Sequence, residues 1–209
     1  MKTIITSFLV FITISVFGQA PDFDAIKNNV NDSSSQYFYD KISYQFRLDP
    51  GLLDSVAVQH LYYGKVYRKD AVEMFDKDYM EARDNFDKKK YKKAIENAEK
   101  VILKDPANLK MLEVLIFSLL KEDSASRYLP LYKYQVAKII NCFMNSGDGK
   151  KESSPYYVAS VSDGYVLMNV KGNNPYAYKR TSQQAPFGIM DVYKKGKDKV
   201  HITVLYAGD

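Results

Sequence analysis

The segment that most constrains the fold of this chain runs from residue 76 to 121 and contains three successive apolar patterns with helical spacing. The middle pattern has small or apolar residues three and four positions apart, at Tyr91, Ala94, Ala98 and Val101. This spacing forms one stripe along an α-helix, and its two alanines allow a neighbouring helix to approach closely. Pro106 ends the helix, because proline disfavours the helical conformation of the residue before it. The segment therefore predicts three consecutive helices with a corner at Asp105 and Pro106.

The two flanking patterns predict helices that pack against the middle one. Ala82 and Phe86 form a facing stripe on the preceding helix. The following helix is apolar on nearly all sides, at Met111, Leu112, Leu115, Ile116 and Leu119. A helix with this pattern must be buried.

Six positions of this segment resemble the small, aromatic and closing-proline positions of a tetratricopeptide repeat: Ala82, Tyr91, Ala94, Ala98, Val101 and Pro106. Lys89 stands where the repeat usually has a glycine before the tyrosine. The resemblance covers one repeat and the first helix of another, which would begin near Leu112 and Leu115. Because a stable array needs at least about three repeats, an extended superhelix is excluded. The resemblance implies one tetratricopeptide-like hairpin inside a mixed domain.

Residues 1–20 have the pattern of a secretory signal peptide. Lys2 precedes a mostly apolar run at 4–17, and small residues follow at Gly18 and Ala20. A membrane-spanning helix needs about 20 apolar residues, so this shorter run favours a cleaved signal over the alternative of an uncleaved anchor. We therefore expect cleavage after Gly18 or Ala20, and an exported protein without a stable membrane span.

Charge and cysteine content narrow the class of protein. A formal net charge of +5 is a mild excess and does not indicate a nucleic-acid-binding protein. Cys142 is the single cysteine, so no disulfide forms within one chain and stability must come from packing. Its apolar neighbourhood favours a buried, inert thiol, whereas a nucleophile would need a nearby base and an electropositive site.

The N-terminal part of the chain predicts three further helices. Apolar stripes within 22–48 indicate two short helices, the first with Asp22 at its N-cap. A third helix begins near Asp54 and contains the block HLYYG at 60–64. Glycine inside a helix costs about 1 kcal/mol relative to alanine. Its use at Gly64 therefore indicates a close contact or a bend.

The C-terminal part of the chain has the shorter period of β-strands. One hairpin is predicted between 156–161 and 165–170, joined by a Ser-Asp-Gly turn. A second is predicted between 189–193 and 200–205, with Gly196 in the connection.

These patterns together predict an α+β protein. After the signal peptide, a helical region at 21–147 contains the tetratricopeptide-like hairpin, and a small C-terminal antiparallel sheet at 148–209 packs on the helices. Gly147, in the block SGDG, is expected to take the left-handed conformation that often follows a helix end.

The combination of motifs resembles a known family. A signal peptide, the block HLYYG at 60–64, the repeat-like hairpin and the segment SGDGKKESSPYYVASVSDGY at 146–165 resemble domain-of-unknown-function family 4919 of exported Bacteroidota proteins. The resemblance covers most of residues 22–170, and the chain is expected to depart from it after 170. It implies a periplasmic or extracellular location in a Gram-negative bacterium, and it implies no catalytic residues.

The patterns HExxH, CxxC, GxSxG and the phosphate loop are absent from the sequence, so we expect no catalytic constellation, metal site or cofactor. The block around His60 supplies the candidate interaction surface: His60, Tyr62, Tyr63 and Tyr67. The structural alternatives are a histidine bonded to the backbone and tyrosines that lie half in the core.

An envelope hydrolase that uses His60 and nearby tyrosines or carboxylates is the alternative function. It would require His60 to meet a carboxylate, such as that of Asp70 or Glu73, in one pocket.

Two polar segments have a functional and a structural interpretation. The five lysines within 88–93 suit an anionic lipid or lipopolysaccharide, or the solvated end of a helical hairpin, which is favoured. Asn145, Asp148 and Glu152 faintly resemble a calcium loop, but the alternating ligands of an EF-hand are missing and adjacent lysines oppose a cation. A helix cap and turn is therefore favoured there.

We therefore expect a non-catalytic exported module that binds a protein or peptide of the cell envelope through its helical face.

Overall fold

The computed structural model describes residues 20–68 and 76–206. The expected signal peptide, apart from Ala20, and the carboxylates of Asp70 and Glu73 lie outside the described residues. The described α-helices are α1 (Phe23–Asn31), α2 (Tyr39–Leu48), α3 (Ser55–Gly64), α4 (Lys77–Asp87), α5 (Tyr91–Lys104), α6 (Leu109–Glu122), α7 (Leu129–Met144) and α8 (Val161–Val170). The described strands are β1 (Tyr156–Val158), β2 (Lys179–Ala185), β3 (Gly188–Lys195) and β4 (Asp198–Leu205). Short 3₁₀ turns occupy Pro50–Leu52, Lys65–Tyr67 and Pro175–Ala177. The predicted α+β class is confirmed.

The three helices predicted between residues 76 and 121 are present as α4, α5 and α6. α5 packs against both neighbours, and the alanines expected at the close contacts are completely buried: Ala82, Ala94 and Ala98. Asn108 begins α6 after the predicted corner, because its side chain accepts a hydrogen bond from the backbone N–H of Met111. α6 is buried over most of its circumference, but Phe117 and Leu120 are exposed.

The N-terminal helices begin at the expected caps. Asp22 accepts a hydrogen bond from the backbone N–H of Ala25, and Asp54 accepts one from that of Ala57. α1 lies against α3, and a Cβ added at Gly64 would lie only 2.4 Å from Cγ1 of Val30. The close contact expected at Gly64 is therefore confirmed.

The hairpin predicted between 156–161 and 165–170 is wrong. Its first half contains the short strand β1, but its second half is the helix α8. Ser160 caps α8 by accepting a hydrogen bond from the backbone N–H of Asp163, and Leu167 and Met168 enter the core. The β-branched and aromatic residues therefore favour a strand only locally, and burial in the folded chain overrides that preference.

The four described strands form one sheet in the order β1-β4-β3-β2. β3 pairs antiparallel with β2 and with β4, so the second predicted hairpin is confirmed. β1 runs parallel to β4, so the sheet is mixed and not wholly antiparallel as expected. A parallel neighbour requires a long crossover, and here the chain passes through α8, β2 and β3 between the two strands.

The backbone angle φ of Gly147 is not positive, so this residue does not take the expected left-handed conformation. Instead, the backbone of Pro155 lies very close to Gly147: a Cβ at this position would lie 2.0 Å from the carbonyl oxygen of Pro155. The turn after α7 therefore needs glycine for space at this position.

Side chains from the helices and from the sheet share one cluster of buried apolar residues. In the described part of the chain, no helix combines the length and the apolar character needed to cross a membrane.

Candidate functional site

His60 is a buried histidine with both ring nitrogens engaged. Nδ1 lies 2.8 Å from the carbonyl oxygen of Val56 and therefore carries the proton, and Nε2 accepts from Nδ2 of Asn29 at 3.1 Å. The ring stacks on Tyr37, with the ring centroids 4.1 Å apart. Burial lowers the pKa of His60, so the ring is neutral at neutral pH. This geometry leaves neither nitrogen free to exchange a proton with a substrate.

Tyr62 is completely buried and connects α3 to α8. Its phenolic O–H donates to Oδ2 of Asp163 at 2.8 Å, and its oxygen accepts from the backbone N–H of Ala159 at 3.0 Å. Burial raises the pKa of Asp163 and raises that of Tyr62 well above its ordinary value. The carboxyl of Asp163 is thus held inside the protein by a neutral donor.

Lys65 extends this buried group of polar residues to the corner between α5 and α6. Its Nζ donates to the carbonyl oxygen of Ala107 at 2.9 Å, and lies 3.5 Å from Oδ2 of Asp105 and 5.3 Å from the ring centroid of Tyr62. The positive charge of Lys65 opposes the effect of burial on the pKa of Asp163. An ammonium placed between two buried carboxyl groups reduces the cost of removing them from water.

We call Tyr62, Lys65, Asp105 and Asp163 the buried polar network. It joins α3, the corner between α5 and α6, and the first turn of α8. Within this network, Oδ1 of Asp105 has no hydrogen-bond partner among the described residues. The hydrogen bonds and the ion pair of this network connect the three elements to one another.

Tyr63 is also completely buried. Its O–H donates to the carbonyl oxygen of Tyr157 in β1 at 3.2 Å. Cys142 lies beside it in α7, and burial raises the pKa of this thiol to about 12. The thiol is therefore protonated at neutral pH and is not a nucleophile.

The four residues predicted as an interaction surface do not share one exposed face. His60, Tyr62 and Tyr63 are buried, whereas Tyr67 is half-buried. Burial also raises the pKa of Tyr67. The tyrosines face inwards because α3 lies between α1, α2 and α7.

The SGDG loop is closed by local hydrogen bonds. Oδ1 of Asp148 accepts from the backbone N–H of Lys150 at 2.9 Å and from Oγ of Ser154 at 2.6 Å. These bonds lower the pKa of Asp148. Among the described residues, no group of three or more histidine, cysteine or acidic side chains is arranged to hold a metal ion. These contacts therefore support the interpretation of the SGDG loop as a helix cap followed by a turn.

The sequence patterns did not reveal an exposed apolar surface at the ends of α2 and α5. Tyr44, Leu48, Leu52 and Leu103 are 58%, 60%, 63% and 64% exposed. The guanidinium of Arg47 donates to the carbonyl oxygen of Leu103, which brings the two helix ends together. We call these four exposed residues the apolar helical surface. The available sequence signal was a second set of apolar residues four positions apart, Tyr44, Leu48 and Leu52, beside the buried stripe of α2.

A shallow open depression of about 240 Å³ adjoins the apolar helical surface. Leu52 forms part of its wall, together with Tyr37, Lys41 and Gln45. Tyr37 is also the ring that stacks on His60. His60 therefore contacts the depression only indirectly, through the ring of Tyr37.

The fold and these contacts define a small α+β protein with a buried polar network that joins α3, the α5–α6 corner and α8, and with exposed apolar side chains near the ends of α2 and α5. The chain belongs to the family described as domain of unknown function (DUF4919), whose match covers residues 24–206. The departure from the family expected after residue 170 is therefore wrong, because the match continues through β2, β3 and β4. No curated protein and no solved structure matches the chain.

Proposed function

We propose that this protein is an exported, non-catalytic module that binds a protein or peptide through the apolar helical surface. The observation that carries the proposal is the exposure of Tyr44 and Leu48 on α2, of Leu52 in the 3₁₀ turn after it, and of Leu103 at the end of α5, where Arg47 connects α2 to α5. Contiguous exposed apolar side chains mark interaction sites more often than single ones do. Export is proposed from the signal-peptide pattern of residues 1–20, and a Gram-negative, Bacteroidota envelope from the motifs that resemble the family.

The energetics suit a partner that covers the surface. Complete burial of a leucine side chain is worth about 1.5–3 kcal/mol, so covering three largely exposed leucines contributes several kcal/mol. Part of this gain offsets the freedom that both molecules lose on association. The adjoining depression offers room for one side chain of the partner, with Lys41 and Gln45 as polar groups at its wall.

The tetratricopeptide-like hairpin is proposed as the scaffold behind this surface. α4 and α5 supply its small residues, and the last turn of α5 carries Leu103. Because Ala94 and Ala98 are completely buried, α5 has a fixed position against its neighbours. A rigid support reduces the entropy lost when a partner binds.

The hydrolase alternative stays a prediction. Both nitrogens of His60 are engaged with Val56 and Asn29, and the carboxylates of Asp70 and Glu73 lie outside the described residues. No contact of the described residues favours hydrolysis over binding.

Affinity capture from envelope extract tests the binding proposal with matched variants. The mature protein is compared with Leu48→Asp/Leu103→Asp and with the control Phe117→Asp/Leu120→Asp, which changes two exposed apolar residues of α6. We expect one or a few proteins to be captured by the wild type and by the control, and to be lost with the Leu48 and Leu103 changes. Purified candidates are then measured for direct binding. Equal capture by all three proteins would show that this surface is not the binding site.

A further inference from the structure

Three lysines lie side by side across the sheet, near the turn between β3 and β4. Lys179 of β2 is directly opposite Lys194 of β3, and Lys194 is directly opposite Lys199 of β4. All three are exposed. Directly opposed residues point to the same face of a sheet, and neighbouring strands are about 4.8 Å apart. The register therefore produces a row of three ammonium groups on one face.

The lysine row and the helix α8 lie on opposite faces of the sheet. The next cross-strand row contains Tyr193 and Val200, which are buried and which alternate with the lysines along their strands. Tyr193 contacts Tyr165 of α8. The lysine row thus occupies the opposite face from α8.

Repulsion among the three lysines destabilises the folded protein unless an anion binds near them. Like charges directly opposite each other destabilise a sheet, and the ion pairs found among the described residues include none of the three lysines. The next pair along β3 and β4 is different, because Lys195 is opposite Asp198. The row is therefore a local excess of positive charge.

The SGDG loop lies at the end of the row and carries two more lysines. The backbone N–H of His201 donates to the carbonyl oxygen of Gly149 at 2.8 Å, and His201 is two residues after Lys199 on β4. Lys150 and Lys151 follow Gly149 directly and are exposed. Asp148 and Glu152 in the same loop equal these two lysines in formal charge, so the net positive excess comes from the three lysines of the sheet. We call Lys150, Lys151, Lys179, Lys194 and Lys199 the lysine surface.

We propose that the lysine surface binds the phosphate-bearing surface of an anionic lipid bilayer. Its charges lie on long, flexible side chains over a sheet face, without the convergent donors that hold a single phosphate group in a pocket. An array of charges spaced at the strand distance suits many headgroups at once, each attracted electrostatically. This site is separate from the apolar helical surface, so the protein has one surface for a lipid bilayer and another for its partner.

Co-sedimentation with vesicles tests the proposal. The protein without residues 1–20 is mixed at low salt with vesicles of equal parts phosphatidylglycerol and phosphatidylcholine, or of phosphatidylcholine alone. We expect binding to the anionic vesicles only, and weaker binding as salt is raised. Each lysine near an anionic surface contributes about fivefold in affinity. The triple variant Lys179→Gln/Lys194→Gln/Lys199→Gln should therefore bind about a hundredfold more weakly.

A matched control removes the same charge elsewhere. Lys90→Gln/Lys92→Gln/Lys93→Gln changes three exposed lysines of the 88–93 run, and it should retain most of the binding. Equal weakening in both triple variants, or no binding of the wild type to anionic vesicles, would overturn the proposal. The unfolding midpoint of the first variant in urea at low salt should equal or exceed that of the wild type, because repulsion is removed. A lower midpoint would show that the three lysines stabilise the fold, and it would contradict the proposal that they form a lipid-binding site.

Discussion

Tyr62 donates a hydrogen bond of 2.8 Å to Asp163, 101 positions later in the chain. The bond joins the last turn of α3 to the first turn of α8, and Lys65 lies above the same tyrosine ring. This contact links the helical part of the protein to the helix that covers the sheet. Its two partners are both buried, so the loss of either leaves an unpaired polar group.

Removal of the Tyr62 hydroxyl should destabilise the protein. Tyr62→Phe leaves the carboxyl of Asp163 and the backbone N–H of Ala159 without this partner, and unpaired buried groups typically cost about 1–3 kcal/mol. The free energy of unfolding, measured in urea, should fall by that amount. Tyr44→Phe is the control, because Tyr44 is largely exposed, and it should change stability by less than about 0.5 kcal/mol. Equal effects of the two substitutions would contradict the role assigned to the bond.

The free energy of unfolding should contain a contribution from Asp163 that falls as pH rises from acid to neutral. Burial raises its pKa in the folded protein above the ordinary value of 3.8, so the folded state retains this proton after the unfolded state has lost it. Between those two pKa values the free energy of unfolding decreases with pH, and above the folded pKa it is constant. Below 3.8 both states are protonated, and the contribution is also constant.

The difference between wild type and Asp163→Asn isolates this effect, because other acids titrate equally in both proteins. We expect the stability of the wild type relative to the variant to decline as pH rises through this window. Urea unfolding at a series of pH values measures the difference. A relative stability that increases with pH would mean that the charged carboxylate is the favoured form.

Gly147→Ala should lower the free energy of unfolding by more than about 1 kcal/mol. The added Cβ would lie 2.0 Å from the carbonyl oxygen of Pro155, a backbone atom that cannot move away by rotation of a side chain. Gly147→Val should cost at least as much. Gly164→Ala is the control: its Cβ would lie at an ordinary 3.7 Å from Ile202, and alanine is favoured over glycine within α8. Thermal unfolding should therefore show a loss for the first change and no loss for the control.

Asp148→Asn tests the calcium interpretation of the same loop. Asparagine retains one oxygen that can accept the hydrogen bonds from Lys150 and Ser154, so the variant should be nearly as stable as the wild type. Neither protein should gain thermal stability on addition of calcium. A calcium-dependent rise in melting temperature that is lost in Asp148→Asn would show that the loop is a metal site.

Ala94→Leu and Ala98→Leu should each destabilise the protein by about 1–3 kcal/mol, because extra methyl groups overpack a filled core. Both alanines are completely buried between α5 and its neighbours. Lys93→Leu, on the exposed side of α5, should cost far less. Urea midpoints for the three variants measure the difference, and a midpoint for Lys93→Leu as low as those of the alanine variants would refute the packing assigned to this helix.

The exported protein should begin at Gln19 or Pro21. The pattern of residues 1–20 predicts cleavage after Gly18 or Ala20. Mass spectrometry of the protein recovered outside the cytoplasm measures its N-terminus. Recovery of an intact chain that starts at Met1 would indicate an uncleaved anchor instead.

The helical half of the fold was predictable because its signals are local. Spacing of apolar residues, N-caps such as Asp54 and the proline at 106 act within one or two turns of a helix. The hairpin of β3 and β4 was predictable for the same reason, since alternating apolar residues flank a short glycine-containing turn. The strand β2 was missed because all but its last residue are exposed, so it carries no alternation of buried and exposed side chains.

The candidate site was less predictable. The block around His60 was recognised, but its burial depends on α1 and α7, which are distant in the sequence. Asp163 was assigned to a turn, and its bond to Tyr62 exists only because α3 and α8 both pack against α7. The apolar helical surface likewise requires Arg47 to bring the ends of α2 and α5 together.

The sequence by itself determined the order of the helices from α1 to α7, the alanine contacts of α5 and the last hairpin, because backbone preference and side-chain period act over a few residues. Tertiary structure decided that 161–170 is a helix, that β1 runs parallel to β4, and that three lysines align across the sheet. These features depend on contacts between residues far apart in the chain. The free energy of burying Leu167 and Met168 and of pairing Asp163 is available only in the folded protein, so the local pattern of residues 161–170 was insufficient to reveal it.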